Sequence, residues 1–412
     1  MADAGLSAAA LLAEIHSESL QSVSDSLWAQ RHLTSVASSF WQLSSPKTDN
    51  PEASSPGLTR IPDLDAHLAA VNARRTSRDW PLNKGDVIEV QGPATAGKTH
   101  FVYHMLLQCL LPDRWLDTGL GGWGNAAVLI DTDGNFSVQR FHELLVSRLR
   151  RFLGEEDPTD VTSTSVEDLA TQFLQNLHVF RPTSSAQLAI TLLHLPNYHA
   201  YDPRLQNKEI GLLAIDSMSA FYWRDRYTLE QLRDAADNPR GALPPNPLAH
   251  VLKALARFRA SHRPVVLMTN WGLNLITKLP ASSTLGAPFY RQHLHPFPAP
   301  FEPHGAAEAI SSIQASQPHD TDAPPQNPTR SRTPQHAASL FPLHYHISLH
   351  PSPIDPFPAN FSFDDALRHE DMRAVLVKKG EVKGLVRTPG DDTVGEFTIR
   401  IGEREVLVDP DE

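Results

Sequence analysis

The chain has 412 residues, 34 of them proline, with a formal net charge of −11 and a single cysteine. The negative balance excludes a wholly basic nucleic-acid coat, so any contact with DNA is local or shared with a partner; the lone Cys109 excludes internal disulfides and suits a reducing compartment. So much proline, together with long polar stretches, predicts one ordered core of roughly 250 residues instead of several packed domains.

Residues 1–20 carry Asp3, Glu14 and Glu18 and lack an uninterrupted apolar run, which supports neither a secretory signal nor a membrane span. Leu6, Leu11, Leu12 and Ile15 recur near helical spacing, and Leu27, Trp28, Leu33, Val36, Phe40 and Trp41 repeat the pattern. Two amphipathic helices follow, with apolar faces that either pack on the chain's own core or dock on a partner. Ser44 to Pro56 is polar and broken by proline, a linker, so residues 1–80 read as a helical extension.

Asp86-Val87-Ile88-Glu89-Val90 alternates as a strand and leads into Gly92-Pro93-Ala94-Thr95-Ala96-Gly97-Lys98-Thr99, which fits the phosphate-loop pattern G-x-x-x-x-G-K-T. An apolar helix, Phe101 to Leu111, leads out. In such a loop two glycines let the backbone N–H groups wrap a phosphate chain, and the helix N-terminus adds partial positive charge. Lys98 then reaches the β- and γ-phosphates, and the Thr99 hydroxyl ligates Mg²⁺. The bare pattern also arises by chance; the strand before it and the helix after it give it weight.

Ala126 to Leu153, Leu177 to Arg181, Gly211 to Phe221 and Pro264 to Asn270 continue to alternate strand-like and helical stretches, which predicts a parallel sheet with crossover helices over residues 81–280. Ala127 to Ile130 runs into Asp131-Thr132-Asp133, and Gly211 to Ile215 runs into Asp216-Ser217. A carboxylate at the tip of a buried parallel strand is costly unless something charged meets it. Asp216 is therefore expected to support Mg²⁺ through water beside Thr99; the alternative is that it caps the following helix.

Residues 281–339 are rich in Pro, His, Ser, Ala and Gln, with too few large apolar side chains to offset ordering entropy, and read as a disordered insertion. Within residues 340–412, Met372 to Val377, Gly384 to Arg387, Glu396 to Ile401 and Glu405 to Val408 read as short strands, a β-meander that completes the core. Lys378, Lys379, Lys383 and Arg387 line those strands, either as phosphate contacts or as a solvated hairpin face. His344, His346 and His350 have strand spacing but no clear fourth ligand, which argues against a metal site.

The order of phosphate loop, Ile130-Asp131-Thr132-Asp133-Gly134, Ile215-Asp216-Ser217 and Met268-Thr269-Asn270 resembles the core of RecA-family recombinases. Ala214 to Arg226, with its Phe221-Tyr222-Trp223 phrase, and Phe397-Thr398-Ile399-Arg400-Ile401-Gly402-Glu403 are similar to recombinase paralogues in that family. The resemblance covers roughly Asp86 to Asn270 and the last strands. It implies that Gly92, Pro93, Ala94, Thr95, Ala96, Gly97, Lys98 and Thr99 hold ATP, that Thr99 and Asp216 support Mg²⁺, and that Arg140 lies beside the adenine. Where active recombinases carry the glutamate that activates the attacking water, this chain has Asp133, one methylene shorter. Their Thr-Asn-Gln becomes Thr269-Asn270-Trp271. Both departures favour nucleotide binding with slow or absent hydrolysis, because a shift of about an ångström is enough to disable such a step.

The resulting expectation is an α/β, RecA-like phosphate-loop core with a mostly parallel sheet, a helical N-terminal extension, a Pro/His-rich insertion and a C-terminal meander. Resemblance implies a nuclear subunit of a hetero-oligomer of recombinase paralogues, binding ATP and Mg²⁺ as at most a weak DNA-dependent ATPase. Such a complex assists the main recombinase on single-stranded or branched DNA in repair by homologous recombination. One rival is a structural adaptor whose nucleotide site is inert. A small-molecule kinase of the phosphate-loop class fits less well, since no arginine-rich lid is visible. Phe221, Tyr222 and Trp223, beside Arg224 and Arg226, either stack bases, fill a subunit contact or cover the sheet.

Overall fold

A computed structural model describes residues 57–76, 80–153, 165–205, 208–235, 247–273, 275–276, 289–290, 342–352, 357–358, 360–389, 391–403 and 405–407. Helix α1 (Pro62–Thr76) leads to β1 (Val87–Gly92) and α2 (Lys98–Leu110). A small hairpin of β2 (Arg114–Trp115) and β3 (Thr118–Gly119) precedes β4 (Ala126–Asp131), α3 (Val138–Leu153), α4 (Val166–Leu174), β5 (Leu177–Phe180), α5 (Ser185–Tyr201) and β6 (Ile210–Asp216). Then come α6 (Tyr222–Ala235), α7 (Pro247–His262), β7 (Val265–Trp271) and the paired strands β8 (Leu275–Ile276) and β9 (Phe289–Tyr290). β10 (Tyr345–Pro351), α8 (Phe363–Lys379), β11 (Glu381–Arg387), β12 (Val394–Ile401) and β13 (Val406–Leu407) follow.

The main sheet runs β13-β12-β11-β10-β1-β7-β6-β4-β5. From β5 to β10 neighbours are parallel, and β11, β12 and β13 add antiparallel strands at one side. β1, β4 and β6 are buried along their whole length, β4 and β6 as apolar runs ending in a carboxylate and β1 with Glu89 and Gln91 among its buried side chains, as a sheet covered on both faces requires. One core packs Phe101, Met105, Phe141, Leu145 and Leu149 of α2 and α3 beneath β1 and β4. The other packs Leu188 and Leu192 of α5 with Val251, Leu255 and Phe258 of α7 on the opposite face. Each such side chain contributes roughly 1.5–3 kcal/mol by leaving water, so the sheet edge between the two cores is held rigidly. Register places Asp131 opposite Asp216 and Gly92 opposite Trp271, which brings the strand tips to one carboxyl edge.

The C-terminal region differs from expectation at one element. Met372 to Val377, expected as a strand, forms the second half of α8. Signals at both ends decide the matter. Ser362 caps the start, its hydroxyl accepting from the Asp365 N–H while the Asp365 carboxylate accepts from the Ser362 N–H. Asp364 and Asp365 occupy the first turn, Lys378 and Lys379 the last, and Gly380 at φ 59 ends the helix. The two lysines therefore belong to a helix end, and Arg387, expected on a solvated face or against phosphate, is buried at 1% exposure. β11, β12 and β13 form the remaining meander. The proposed helices around Leu6 to Ile15 and Leu27 to Trp41 lie outside the described residues, as does the 281–339 segment apart from the strand Phe289–Tyr290.

Candidate functional site

The loop between β1 and α2 turns on backbone conformations that its sequence permits. Gly97 sits at φ 79 and is the residue before α2; only glycine adopts this readily. A Cβ on Gly92 would lie 2.7 Å from the Leu349 carbonyl oxygen and 2.9 Å from the Ala96 Cβ, so the loop closes there only because no side chain is present. Lys98 Nζ donates to the Gly92 and Pro93 carbonyls at 2.9 and 2.8 Å, folding the lysine across the loop. Burial pulls its pKa down, opposed by the charges of Asp216 and Asp133.

Both oxygens of Asp216 are taken by hydroxyls. Thr99 Oγ1 donates to one at 2.8 Å, and Thr269 Oγ1, from the adjoining tip of β7, donates to the other. Asp131, the other strand-tip carboxylate, faces different partners. It accepts from Arg181 Nε at 3.0 Å and from the Asn135 N–H at 3.1 Å, so it fixes the turn after β4. Asp133 accepts from Ser217 Oγ at 3.0 Å. Desolvation raises its pKa first, then the Asp216 and Asp131 charges, against the lowering bond from Ser217. The structure thus brings Lys98, Thr99, Asp133 and Asp216 to one edge, where Asp131 is engaged instead by Arg181 and the Asn135 N–H.

Arg140, on α3, donates to the Gly402 carbonyl at 2.9 Å. That carbonyl follows β12, whose Ile401 packs against Gly97, so Arg140 ties the C-terminal strands to the flank of the phosphate loop. The Phe221-Tyr222-Trp223 phrase divides. Phe221 is buried in the core, whereas Tyr222 and Trp223 are exposed at the start of α6 with Tyr227 a turn further on. The Arg226 guanidinium lies 5.8 Å from the Trp223 ring centre. The three histidines have other work: His344 Nδ1 accepts from the Val87 N–H, His346 meets Arg387, and His350 stacks on Tyr290. Sequence reasoning missed Thr269, Ser217 and Arg181 as partners of the strand-tip carboxylates. Thr269 was within reach, since it ends an apolar strand of the same rhythm as those of Asp131 and Asp216.

Could the donors present hold a magnesium–triphosphate? A glycine-permitted loop of backbone N–H groups, a lysine beside it, and a hydroxyl joined to a strand-tip carboxylate form an all-oxygen cation site next to an anion cradle, which fits that group.

No protein-family model matches the chain. It is 28% identical over 206 residues to the DNA repair protein XRCC2 homolog of Arabidopsis thaliana, covering 46% of this chain and 55% of that protein. With the DNA repair protein XRCC2 of Mus musculus it shares 31% identity over 171 residues, 41% of this chain and 50% of that one. With the DNA repair protein RAD51 homolog 2 of Homo sapiens it shares 28% over 136 residues, 33% and 30% of the two chains. The chain spans about half the length of the XRCC2 relatives it matches. With a mostly parallel sheet whose carboxyl edge carries the phosphate loop and its aspartate, the chain has a RecA-like core and is similar to XRCC2 and other RecA-family recombinase paralogues.

Proposed function

We propose that this chain is an ATP-binding subunit of a nuclear hetero-oligomer of recombinase paralogues, serving DNA repair by homologous recombination. The observation that carries the nucleotide part is the 2.8 Å bond between Thr99 and Asp216, which joins the phosphate loop to a carboxylate from another strand. Backbone N–H groups of Gly92 to Thr99 would bind the phosphates, Lys98 would turn from its own loop carbonyls to the β- and γ-oxygens, and Thr99 and Asp216 would hold Mg²⁺ directly and through water. Arg140, which ties Gly402 to α3, would lie beside the adenine. Bound Mg²⁺ supplies charge neutralisation on the phosphate oxygens. Asp133 would orient a water from the edge it shares with Ser217, with a reach shorter by one methylene than a glutamate's. Contact with single-stranded or branched DNA would run through the complex, and the exposed Tyr222, Trp223, Tyr227 and Arg226 of α6 suit stacking on bases.

Equilibrium titration of the full chain with a fluorescent ATP analogue in Mg²⁺ tests the core of this reading. Lys98→Ala is expected to weaken binding at least tenfold, since a charge-assisted contact to phosphate is worth about 1.5–3 kcal/mol. Equal affinity in a folded Lys98→Ala protein would sink the site and leave the adaptor reading.

A further inference from the structure

Arg387 is the largest side chain fully buried in the described residues. A guanidinium is costly to bury, and a shape-matched apolar residue is often no less stable there, so its partners call for explanation. Burial lowers its pKa to about 9, opposed by the charge of Glu89 on β1. From β11 it donates through Nη2 to the Tyr290 carbonyl on β9 at 2.7 Å and through Nε to His346 Nδ1 on β10 at 3.2 Å. Its Cζ lies 4.8 Å from the centre of the buried Phe289 ring. One cation thus ties β9, the strand paired with β8 just after β7, to β10, the neighbour of the strand that feeds the phosphate loop.

Glu89 is itself fully buried and accepts from Asn270 Nδ2 at 2.7 Å and Gln91 Nε2 at 3.0 Å. Asn270 Oδ1 accepts from Ser219 Oγ, which accepts in turn from the Trp271 N–H. The neighbouring Thr269 bonds Asp216, and Gly272 N–H donates to the Gly92 carbonyl, the same oxygen that receives Lys98. Polar groups therefore link Thr99 and Asp216 through the tip of β7 to Glu89, and strand register sets Glu89 beside His346 and His346 beside Arg387, which bonds the backbone of Tyr290.

We propose that Arg387 is a positioning residue that couples the state of the phosphate loop to the β8–β9 pair, through Glu89 on one side and the Tyr290 carbonyl on the other. This rests on the nucleotide reading above. A buried cation is weak evidence for stability, and register sets Arg387 in one row with His346 and Glu89, whose carboxylate reaches the tip of β7 through Asn270. Coupling between two sites is established only by a measured difference that a change at the linking residue removes.

Hydrogen–deuterium exchange of the full chain, with and without Mg·ATP, supplies that difference, with nucleotide affinity measured on the same samples. In the wild type, Mg·ATP is expected to slow exchange at least threefold both in peptides over residues 92–99 and in peptides over residues 270–290. Arg387→Met is expected to keep affinity within threefold and the slowing at 92–99, while losing the slowing at 270–290. Arg387→Lys keeps the charge opposite Glu89 but not the forked donor geometry; it is expected to lose at least half of the distant response, and serves if the methionine variant does not fold. Slowing at 270–290 that survives in the folded variants overturns the proposal, as does a wild-type response confined to 92–99. Absence of nucleotide binding by the wild type would instead remove the reading on which the proposal stands.

Discussion

Asp133 shows how far a single methylene reaches. Its carboxylate is held by Ser217 at 3.0 Å and shares the sheet edge with Asp216 and Asp131, whose charges help raise its pKa. A general base needs its oxygen about 2.6–3.2 Å from the water it activates, and in the proposed role Asp133 has one methylene less than a glutamate with which to reach it. The isolated chain is therefore expected to hydrolyse ATP far below the enzyme median of about 10 s⁻¹. Phosphate release should rise in Asp133→Glu and vanish in Asp133→Asn; no change in either variant would give Asp133 a purely structural role. Asp131, two residues earlier, answers to a different test. It is buried at 2% exposure and held by Arg181. Arg181→Met should cost about 1–3 kcal/mol in urea unfolding, because a buried carboxylate loses its charged partner, with nucleotide affinity little changed. A parallel loss of affinity would mean that Asp131 belongs to the nucleotide site after all.

Among the elements, the antiparallel strands depend on a close approach that only one residue type allows. A Cβ on Gly384 of β11 would lie 2.1 Å from the Phe397 ring carbon across the pair. Gly384→Ala is expected to destabilise the chain by about 1–3 kcal/mol through overpacking, and Phe397→Leu in the same chain should restore part of that loss. An additive double variant would show that the ring is not the cause. The parallel strands were legible from sequence because β4 and β6 are apolar runs stopped by a carboxylate, and because β1 leads straight into a loop pattern of fixed spacing. α8 was misread because Val375-Leu376-Val377 has the composition of a strand, while the deciding signals, Ser362 with Asp365 and the left-handed Gly380, lie at its two ends. The place of β10 between β1 and β11 was not legible at all. It brings residues 345–348 beside 88–91, a pairing across more than 250 positions that no local pattern encodes. For the same reason Arg387 read as a surface charge: its partners Tyr290, His346 and Glu89 come from three other strands.

At the scale of the whole molecule, one buried and two half-buried histidines held neutral contribute to the response to acid. His104 is held at its Nε2 by the Thr59 carbonyl inside the core, His262 stacks on Phe258, and His344 accepts from the Val87 N–H. Burial lowers all three pKa values to about 4. Between pH 4 and an unfolded value near 6.5 the unfolded chain binds more protons at these sites than the folded one, so their contribution is fully present above 6.5 and is lost as pH falls towards 4. Asp86 acts in the other direction. Burial raises its pKa to about 6, so on acidification from 6 towards 3.8 it is the folded state that gains the proton, and stability rises by that route. Each such histidine contributes a loss on the acid side of at most roughly 1.4 kcal/mol per pH unit, and Asp86, with Asp133 whose pKa desolvation also raises, offsets part of it. Urea unfolding at pH 4.5, 5.5 and 6.5 is expected to show stability falling steadily with pH. His104→Gln keeps an N–H for the Thr59 carbonyl but has nothing to protonate, and should flatten the slope by about 1.4 kcal/mol per pH unit. A slope unchanged by that substitution would show that His104 is not among the groups that set the acid limit of the fold.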